Sequence, residues 1–248
     1  MPFARVHKLS RILACKPYRR ALRRGVAAST EHERLLRSLD CRTIVDIGAN
    51  RGQFALAAHT LIPGANIISF EPLAQAAQKF RGVFNGNKKV RLHQLAIGPE
   101  RCTAEIHVSG KDDSSSLLPI TKLQAEMHPG TAEAGVEKVQ VERLAGVLSA
   151  EEIVASALLK LDVQGYELET LKGCLDLLPR FTYVYVECSF VEFYRGQAFA
   201  DQIIAFLRDR GFALTGIYNL SHDKSGRALQ GVFLFLNSCA PSPLTTNT

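Results

Sequence analysis

Three absences limit what this sequence of 248 residues encodes. It contains no uncharged apolar run of about eighteen residues, so we expect no membrane-spanning helix. The N-terminal stretch has no continuous apolar segment followed by a small-residue cleavage site, so we do not expect secretion. The six cysteines are scattered singly, without a C-x-x-C pair or a Cys/His cluster, which argues against structural zinc and a disulfide framework. We therefore expect free thiols in a cytoplasmic protein without a metal site.

Acidic residues are also missing from the first 30 positions, where eight of the 30 Lys and Arg residues lie. The other 22 basic residues face 24 acidic ones, so the whole basic excess belongs to this N-terminal segment. Phe3, Val6, Leu9 and Leu13 recur within it at helical spacing. This spacing predicts an amphipathic helix in a basic arm over residues 1–39.

Two main arrangements suit such an arm. Residues 1–28 can lie on an anionic membrane surface, where each nearby Lys or Arg contributes about 1 kcal/mol. Alternatively, the helix packs its apolar stripe on the domain and leaves a solvated basic face. An Arg-rich leader without acids also resembles an organelle transit peptide. Because no nucleic-acid-binding module or interleaved aromatic residues accompany the charge, we expect no nucleic-acid partner.

The run TIVDIGANRGQF at residues 43–54 predicts a buried strand that turns directly into a helix. A second apolar run at residues 67–70 ends in Glu71. Together they resemble a nucleoside-binding half of a Rossmann-like sheet. Gly48 and Gly52 would let the backbone approach a ligand without a Cβ in the way, and Glu71 would offer two oxygens to a ribose diol.

The turn departs from the dinucleotide pattern G-x-G-x-x-G, because Ala49 and Asn50 stand near the place of the middle glycine. That glycine lets the backbone contact a pyrophosphate, so its absence weakens the case for a nicotinamide or flavin dinucleotide. The pattern D-x-G-A-N-x-G at residues 46–52 instead resembles the cofactor turn of S-adenosylmethionine (SAM) methyltransferases. A tight strand–helix connection in another α/β protein is the alternative.

Alternating strand and helix patterns continue along the chain and end in a hairpin. The predicted strands lie at about 43–48, 66–71, 90–96, 103–108, 139–141, 157–162, 183–187, 213–218 and 231–236. The predicted helices lie at about 52–61, 73–85, 166–178 and 199–210. We predict an α/β domain over residues 40–238 with a mostly parallel seven-stranded sheet and an antiparallel last strand. A polar insertion at 110–135 is a candidate lid, and 239–248 form a tail.

The run KLDVQGYELETLKG at residues 160–173 is similar to the K-x-D-x-x-G-x-E-x-x-x-L-x-G motif of the FkbM family of methyltransferases. The runs VDIGANRG (45–52), SFEP (69–72) and SSLL (115–118) also resemble that family, and the resemblance covers about residues 40–237. It implies a Rossmann-like, SAM-dependent enzyme that methylates oxygen, often a sugar or polyketide hydroxyl. Amino- and base-directed methyltransferases often carry N/D-P-P-Y/F where this chain has D-V-Q-G, which also favours oxygen.

Four acids stand at predicted strand ends, namely Asp46, Glu71, Asp162 and Glu187. The carboxyl ends of parallel strands meet at one edge of a sheet, so we expect these acids to mark the site. From their order in the family's fold, the implied cofactor-binding residues are Asp46, Gly48, Asn50 and Gly52 on the methionine side, Glu71 at the ribose, and Gln94, Leu95 and Ala96 at the adenine edge.

Methyl transfer requires alignment of the reactants and benefits from proton removal from a hydroxyl acceptor. Asp162 is the first candidate for substrate positioning or general base, Glu187 is a second base candidate, and Glu167 is expected to orient Asp162 or the acceptor. Alternatives remain for each acid. Glu167 lies in a first helical turn, where the helix dipole alone favours acids. Glu187 can cap a helix or pair with an arginine, and Asp46 can be a structural turn-former.

Two loop histidines, His128 and His222, are further candidates to reach the site, although a lone loop histidine is usually solvated. Asp162 and Glu187 together can also hold a divalent metal, but two acids do not establish one, and we expect none. Two other functions compete with O-methyl transfer: a nicotinamide-dependent oxidoreductase and a non-catalytic protein that keeps the SAM fold for binding.

Overall fold

The computed structural model describes residues 2–111 and 113–239, with side chains from Lys8 onward. Its centre is a seven-stranded sheet in which every strand except β10 runs parallel to the others. In spatial order the strands are β3 (Val90–His93), β2 (Asn66–Phe70), β1 (Thr43–Ile47), β7 (Ala157–Leu161), β8 (Tyr183–Ser189), β10 (Ala228–Asn237) and β9 (Phe212–His222). The predicted fold class, a mostly parallel sheet with an antiparallel last strand, is confirmed.

Helices cover both faces of this sheet, so its central strands are buried on both sides. All residues of β1 and β7 are buried, as expected for parallel strands under helices. The helices that follow the strands are α4 (Gln53–Leu61), α5 (Ala74–Phe84), α7 (Glu167–Gly173) and α8 (Ala200–Arg208). In α8, Ala200, Ile203 and Leu207 are buried at the spacing of one helix face. The site therefore stands on a rigid, doubly covered sheet.

Two boundaries of the sequence-based prediction are wrong. The strand expected over 90–96 ends at His93, because the chain then leaves the main sheet and Ala96–Ile97 (β4) pairs with Val141–Glu142 instead. The helix expected to reach Leu178 ends at Gly173, where an added Cβ would lie 2.1 Å from the Gly98 carbonyl oxygen. The segment after it continues as irregular turns.

The strands predicted at 103–108 and 139–141 are present, but their pairing in a second sheet of three strands was not predicted. This sheet joins β4 to β6 (Glu133–Glu142) and β6 to β5 (Cys102–Ser109), with the β5–β6 pair antiparallel. The insertion expected to be irregular over 110–135 carries α6 (Lys122–Met127), whose N-terminal amide of Gln124 donates to the Thr121 hydroxyl. Local hydrogen bonding thus orders part of a segment whose composition favours a loop.

The N-terminal arm forms α1 (Pro2–Ala14) and α2 (Lys16–Leu22), followed by a 3₁₀ turn at Thr30–His32 and α3 (Glu33–Leu36). Ile12, Tyr18 and Ala21 of the arm are buried, and Arg11 forms an ion pair with Glu33. The predicted stripe is placed differently from this packing face, because Leu9 and Leu13 are 52% and 50% exposed. The side chains of Phe3 and Val6, and residues 240–248 of the predicted tail, lie outside the described residues. Within the described part of the chain, no helix is long and apolar enough to cross a bilayer.

Candidate active site

A cleft of about 750 Å³ opens at the carboxyl ends of β1, β2, β7 and β8. Glu71, Asp162 and Glu187 line it, together with the turn that follows β1. Asp46 does not line it. The topology therefore brings three of the four predicted acids to one cleft, at the edge where ligands bind in open parallel sheets.

The two glycines of the turn after β1 are required by close packing against neighbouring residues of the protein. Gly48 has φ +77°, and a Cβ there would lie 1.9 Å from the carbonyl oxygen of Asp162. Gly52 has φ +89°, and a Cβ there would lie 2.8 Å from the rings of Phe80 and Phe84. Both positions favour glycine on backbone grounds as well. The sequence analysis explained these glycines by the approach of a ligand and did not predict that close packing against Asp162, Phe80 and Phe84 also requires them.

Glu71 is held rigidly at the end of β2. Its Oε2 accepts the backbone N–H of Asn50 at 2.9 Å, and its Oε1 accepts that of Leu73 at 2.8 Å. Burial raises the pKa of Glu71 to about 7, against the opposing effect of these two amides. Each oxygen keeps a lone pair that no described donor is shown to fill, so the carboxylate is oriented and still has acceptor capacity.

Asp46 lies behind the turn in a buried ion pair. It is 0% exposed, and its Oδ1 lies 2.9 Å from the Nζ of Lys160, which stands directly opposite it in the β1–β7 register. The same ammonium donates to the Gly48 carbonyl at 3.0 Å. Burial opposes the charge on Lys160, but the carboxylates of Asp46 and Asp162 raise its pKa above the ordinary value. Asp46 therefore supports the turn from below and does not face the cleft.

Asp162 is the more open of the two acids on the other side of the cleft. Its side chain is 38% exposed, its Oδ1 accepts the Nε2 of Gln164 at 2.7 Å, and its Oδ2 lies 4.0 Å from the Nζ of Lys160. Its backbone N–H donates to the Ile47 carbonyl at 3.2 Å, which ties it to the end of β1. A carboxylate fixed by one amide and open to the cleft is suited to accept a proton from a bound hydroxyl.

Glu187 is bound on both oxygens. Its Oε1 accepts the Nε2 of Gln230 at 3.0 Å and its Oε2 accepts the Nε2 of Gln164 at 3.2 Å. Burial raises the pKa of Glu187 well above its usual range, and the charges of Asp162 and Glu167 raise it further. The bridging amide of Gln164 thus joins the two carboxylates of the cleft.

Gln164 itself is firmly positioned, and the sequence-based list of site residues omitted it. Its Oε1 accepts the hydroxyl of Tyr194 at 2.6 Å, which leaves the amide nitrogen to face Asp162 and Glu187. Its backbone carbonyl accepts the hydroxyl of Ser116 at 2.6 Å. The position of Gln164 inside the D-V-Q-G run at residues 162–165, two residues after Asp162, could have identified it as a site residue. The SSLL run at 115–118 therefore contacts the turn that carries Asp162 and Gln164.

Glu167 is buried beneath this turn and does not line the cleft. Its Oε1 accepts the backbone N–H groups of Val163 and Gly165, both at 3.1 Å. Burial raises the pKa of Glu167 to about 7. The side chain braces the turn that carries Asp162 and Gln164, which is a positioning role.

The remaining predicted residues divide between the cleft and the surface. Leu95 and Ala96 line the cleft, whereas Gln94 is exposed, and its side chain accepts the guanidinium of Arg81 at 3.0 Å. His128 of the insertion lines the cleft, and His222, exposed at the end of β9, does not. Sequence reasoning missed His32 of the N-terminal arm, which also lines the cleft.

Backbone strain is concentrated at this cleft. Within residues 2–111 and 113–239, three residues other than glycine have positive φ, namely Asn50 (47°), Gln164 (57°) and Asn219 (51°). All three line the cleft. Such conformations cost of order 1 kcal/mol or more each and persist where the surrounding structure enforces them, often at functional sites.

Comparison with known proteins agrees with this arrangement of fold and motifs. The protein-family model described as the methyltransferase FkbM domain matches residues 46–214 of the sequence. The chain belongs to the FkbM methyltransferase family.

Curated relatives within reach of sequence comparison are distant. The chain is 29% identical over 160 residues to 2-O-methyltransferase NoeI of Sinorhizobium fredii. The aligned region covers 62% of this chain and 66% of that protein, just under two thirds of its length. It is 26% identical over 201 residues to 31-O-demethyl-FK506 methyltransferase FkbM of Streptomyces tacrolimicus, over 69% of this chain and 72% of that protein.

Solved structures resemble the chain only loosely. A putative tRNA (m1A22) methyltransferase of Streptococcus pneumoniae, in complex with S-adenosyl-L-methionine, has a TM-score of 0.48 and 9% identity over 86% of this chain and 75% of that chain. The precorrin-6y C5,15-methyltransferase of Geobacter metallireducens has a TM-score of 0.46 and 12% identity, over 85% of this chain and 93% of that chain. The fold assignment rests on the strand order itself.

The FkbM domain match contains the acids and Gln164 but not the whole cleft. His32 precedes residue 46, and Asn219 and Gln230 follow residue 214, yet all three line the cleft. The family domain thus accounts for the central sheet and its acids, whereas the N-terminal arm and the final hairpin add further walls.

Proposed function

We propose that this chain is a SAM-dependent O-methyltransferase acting on a hydroxyl of a sugar, glycolipid or polyketide-type acceptor. The supporting observation is that one cleft carries two different acidic sites. Glu71 is buried and amide-anchored on one side, and Asp162 and Glu187, joined by Gln164, lie on the other. The first suits a fixed ribose diol, and the second suits a hydroxyl that loses its proton.

The cleft residues fit the proposed cofactor. Glu71 has acceptor capacity for two hydroxyls, the turn at 48–52 would adjoin the methionine side, and the apolar Leu95 and Ala96 would flank the adenine. A volume of about 750 Å³ lies within the range of small-molecule sites, roughly 300–1,000 Å³. When bound, SAM supplies a methyl group already activated by its sulfonium.

The protein's own part is alignment and proton transfer. Gln164 holds the Oδ1 of Asp162, whereas Oδ2 lies 4.0 Å from the Nζ of Lys160 on a side chain that lines the cleft and is 38% exposed. There it would accept the acceptor's hydroxyl proton as the oxygen attacks. Glu167, through the amides of Val163 and Gly165, keeps this turn in place. Names of two relatives support oxygen as the target, since they read 2-O-methyltransferase and 31-O-demethyl-FK506 methyltransferase.

Calorimetry and label transfer test the function together. We expect heat of binding with SAM and none with NAD, and transfer of a ¹⁴C-methyl group from SAM to a hydroxyl in a panel of methyl pyranosides and 31-O-demethyl-FK506. Binding of NAD alone would favour the oxidoreductase. SAM binding without transfer to any probe would favour a non-catalytic protein.

The role of Glu71 gives a first prediction. Glu71→Gln keeps the size of the side chain but loses one acceptor oxygen and the charge, so SAM affinity should fall about 10- to 100-fold, as expected for a charged hydrogen bond worth roughly 1.5–3 kcal/mol. Calorimetry measures this affinity. Glu169→Gln is the control, because Glu169 pairs with Lys172 on α7 outside the cleft. Equal SAM affinity in both variants would contradict the ribose assignment.

We also propose that residues 1–28 contact an anionic membrane surface. Leu9 and Leu13, one helical turn apart on α1, are half exposed although they are apolar. Lys16, Arg20 and Arg23 are exposed and have no carboxylate partner among the described residues. Apolar side chains beside uncompensated positive charge match an interface of anionic lipid headgroups over acyl chains.

Sedimentation with vesicles checks the membrane proposal. The protein should bind vesicles that contain phosphatidylglycerol and not pure phosphatidylcholine. Leu9→Ser with Leu13→Ser, or Lys16→Gln with Arg20→Gln and Arg23→Gln, should reduce binding at least 10-fold. Substitution is preferable to deletion, because the arm also buries Ile12 and Tyr18. Leu175→Ser on the exposed surface is the control, and unchanged binding of the arm variants would refute the contact.

A further inference from the structure

Three polar side chains that the family domain does not include line the cleft together with Asp162 and Glu187. His32 comes from the 3₁₀ turn of the N-terminal arm, Asn219 from β9 and Gln230 from β10. The Nδ2 of Asn219 lies 3.3 Å from the Nδ1 of His32, and the Nε2 of Gln230 donates to Glu187 at 3.0 Å. This group therefore continues directly from the catalytic acids.

His32 is held in one orientation. Its ring meets the edges of Phe54 and Tyr185 at centroid distances of 5.4 and 5.6 Å, and its Nδ1 lies 2.9 Å from the hydroxyl of Tyr185. The amide nitrogen of Asn219 only donates, so its contact favours Nδ1 as an acceptor and the Nε2–H tautomer of the neutral ring. Burial lowers the pKa of His32 to about 4, which keeps the ring neutral at physiological pH. Nε2–H has no partner among the described residues.

Asn219 is aimed by a local irregularity of the sheet. Tyr218 pairs with Val232 and Ser221 pairs with Gln230, so two residues of β9 oppose one residue of β10. Asn219 lies in this bulge with φ +51°. Bulges of this kind redirect side chains and are frequent beside active sites. The strained residue thus faces the cleft because the hairpin carries an extra residue.

We propose that His32, Asn219 and Gln230 form the acceptor subsite and bind the hydroxyls adjacent to the one that is methylated in a neutral, polyhydroxylated acceptor of the sugar type. The subsite offers the Nε2–H of His32 as a donor and the Oδ1 of Asn219 and the Oε1 of Gln230 as acceptors, and each amide nitrogen keeps a second N–H beside the one that is already engaged. Neighbouring hydroxyls both donate and accept, which matches this set. The proposal rests on the proposed methyltransferase function.

Histidine NMR tests the subsite independently of turnover. In the protein labelled with ¹⁵N-histidine, His32 should show the Nε2–H tautomer at pH 7, and its signals should shift when methyl pyranosides are added with S-adenosylhomocysteine present. His222, exposed on β9 outside the cleft, is an internal control that should not move. An Nδ1–H tautomer, or no shift of His32 with any pyranoside that binds, would overturn the proposal.

Variants separate the subsite from the function itself. Asn219→Gly keeps the positive φ and removes the side chain, and His32→Gln removes the ring. Both should raise the KM for the pyranoside at least 10-fold, with kcat and SAM affinity changed less than about 3-fold, whereas His222→Gln should change none of these. Methyl transfer with unchanged KM in both variants would overturn the subsite and leave the function standing. Shifts of His32 with bound pyranoside but no methyl transfer would show sugar binding at these residues and would refute the methyltransferase function, and with it their role as an acceptor subsite.

Discussion

Replacing Lys160 by methionine should lower the free energy of unfolding by about 3–5 kcal/mol, the range seen when one partner of a buried ion pair is removed. Methionine fills a similar volume but leaves the carboxylate of Asp46 without its counter-charge 2.9 Å away. Asp46 is fully buried, so water cannot replace the lost ammonium. Urea denaturation followed by circular dichroism measures the change.

The pH dependence of this variant distinguishes charge from packing. Without Lys160 the folded-state pKa of Asp46 should rise, because burial already raises it and the opposing ammonium is gone. An acid whose pKa is higher in the folded than in the unfolded protein makes the protein less stable as the pH rises toward and through the folded-state pKa. The deficit relative to the wild type should therefore be larger at pH 8 than at pH 5. A deficit independent of pH would indicate lost packing alone.

Lys172→Met is the matched control. Lys172 pairs with Glu169 at 2.6 Å on the exposed face of α7, a type of pair worth about 0–1 kcal/mol. The double variant Asp46→Asn with Lys160→Met should recover part of the stability, because both charges are then removed. If Lys160→Met is no more costly than Lys172→Met, the buried pair does not support the turn.

The sequence predicted the strands well because β1 and β7 are continuous apolar runs, and such runs indicate parallel strands buried on both faces. The same two runs also contained information on the position of Asp46 that the sequence analysis did not use. Each contains a single charged residue, Asp46 or Lys160, and a charge in a doubly buried strand requires a partner. Pairing those two charges would have placed Asp46 inside the protein rather than at the rim.

The acceptor end of the cleft could not be predicted in the same way. His32 and Asn219 are 187 positions apart in the sequence, and no local pattern connects them. Asn219 reaches the cleft because of a bulge, whose register shift depends on pairing with β10 rather than on its own residue type. Motif spacing therefore located the acids, while tertiary register decided which other polar side chains face them.

Asp162→Asn should lower kcat for methyl transfer about 10²- to 10⁴-fold, the contribution expected of a general base. Asparagine keeps an oxygen that accepts the amide of Gln164 at the 2.7 Å contact, so the turn should stay in place while the proton acceptor is lost. SAM affinity should change less than about 3-fold. Transfer of ¹⁴C-methyl to the best methyl pyranoside at saturating SAM measures kcat, and calorimetry measures the affinity.

Glu187→Gln decides between the two base candidates. Burial raises the pKa of Glu187, and both of its oxygens already accept side-chain amides, whereas Asp162 accepts one amide and is more exposed. Its substitution should therefore lower kcat less than about 10-fold, although the contacts to Gln164 and Gln230 change. A loss of 100-fold or more in Glu187→Gln, with little loss in Asp162→Asn, would reverse the roles of the two acids. In that case the bridging amide of Gln164 would orient Glu187 for proton transfer, and Asp162 would position the acceptor.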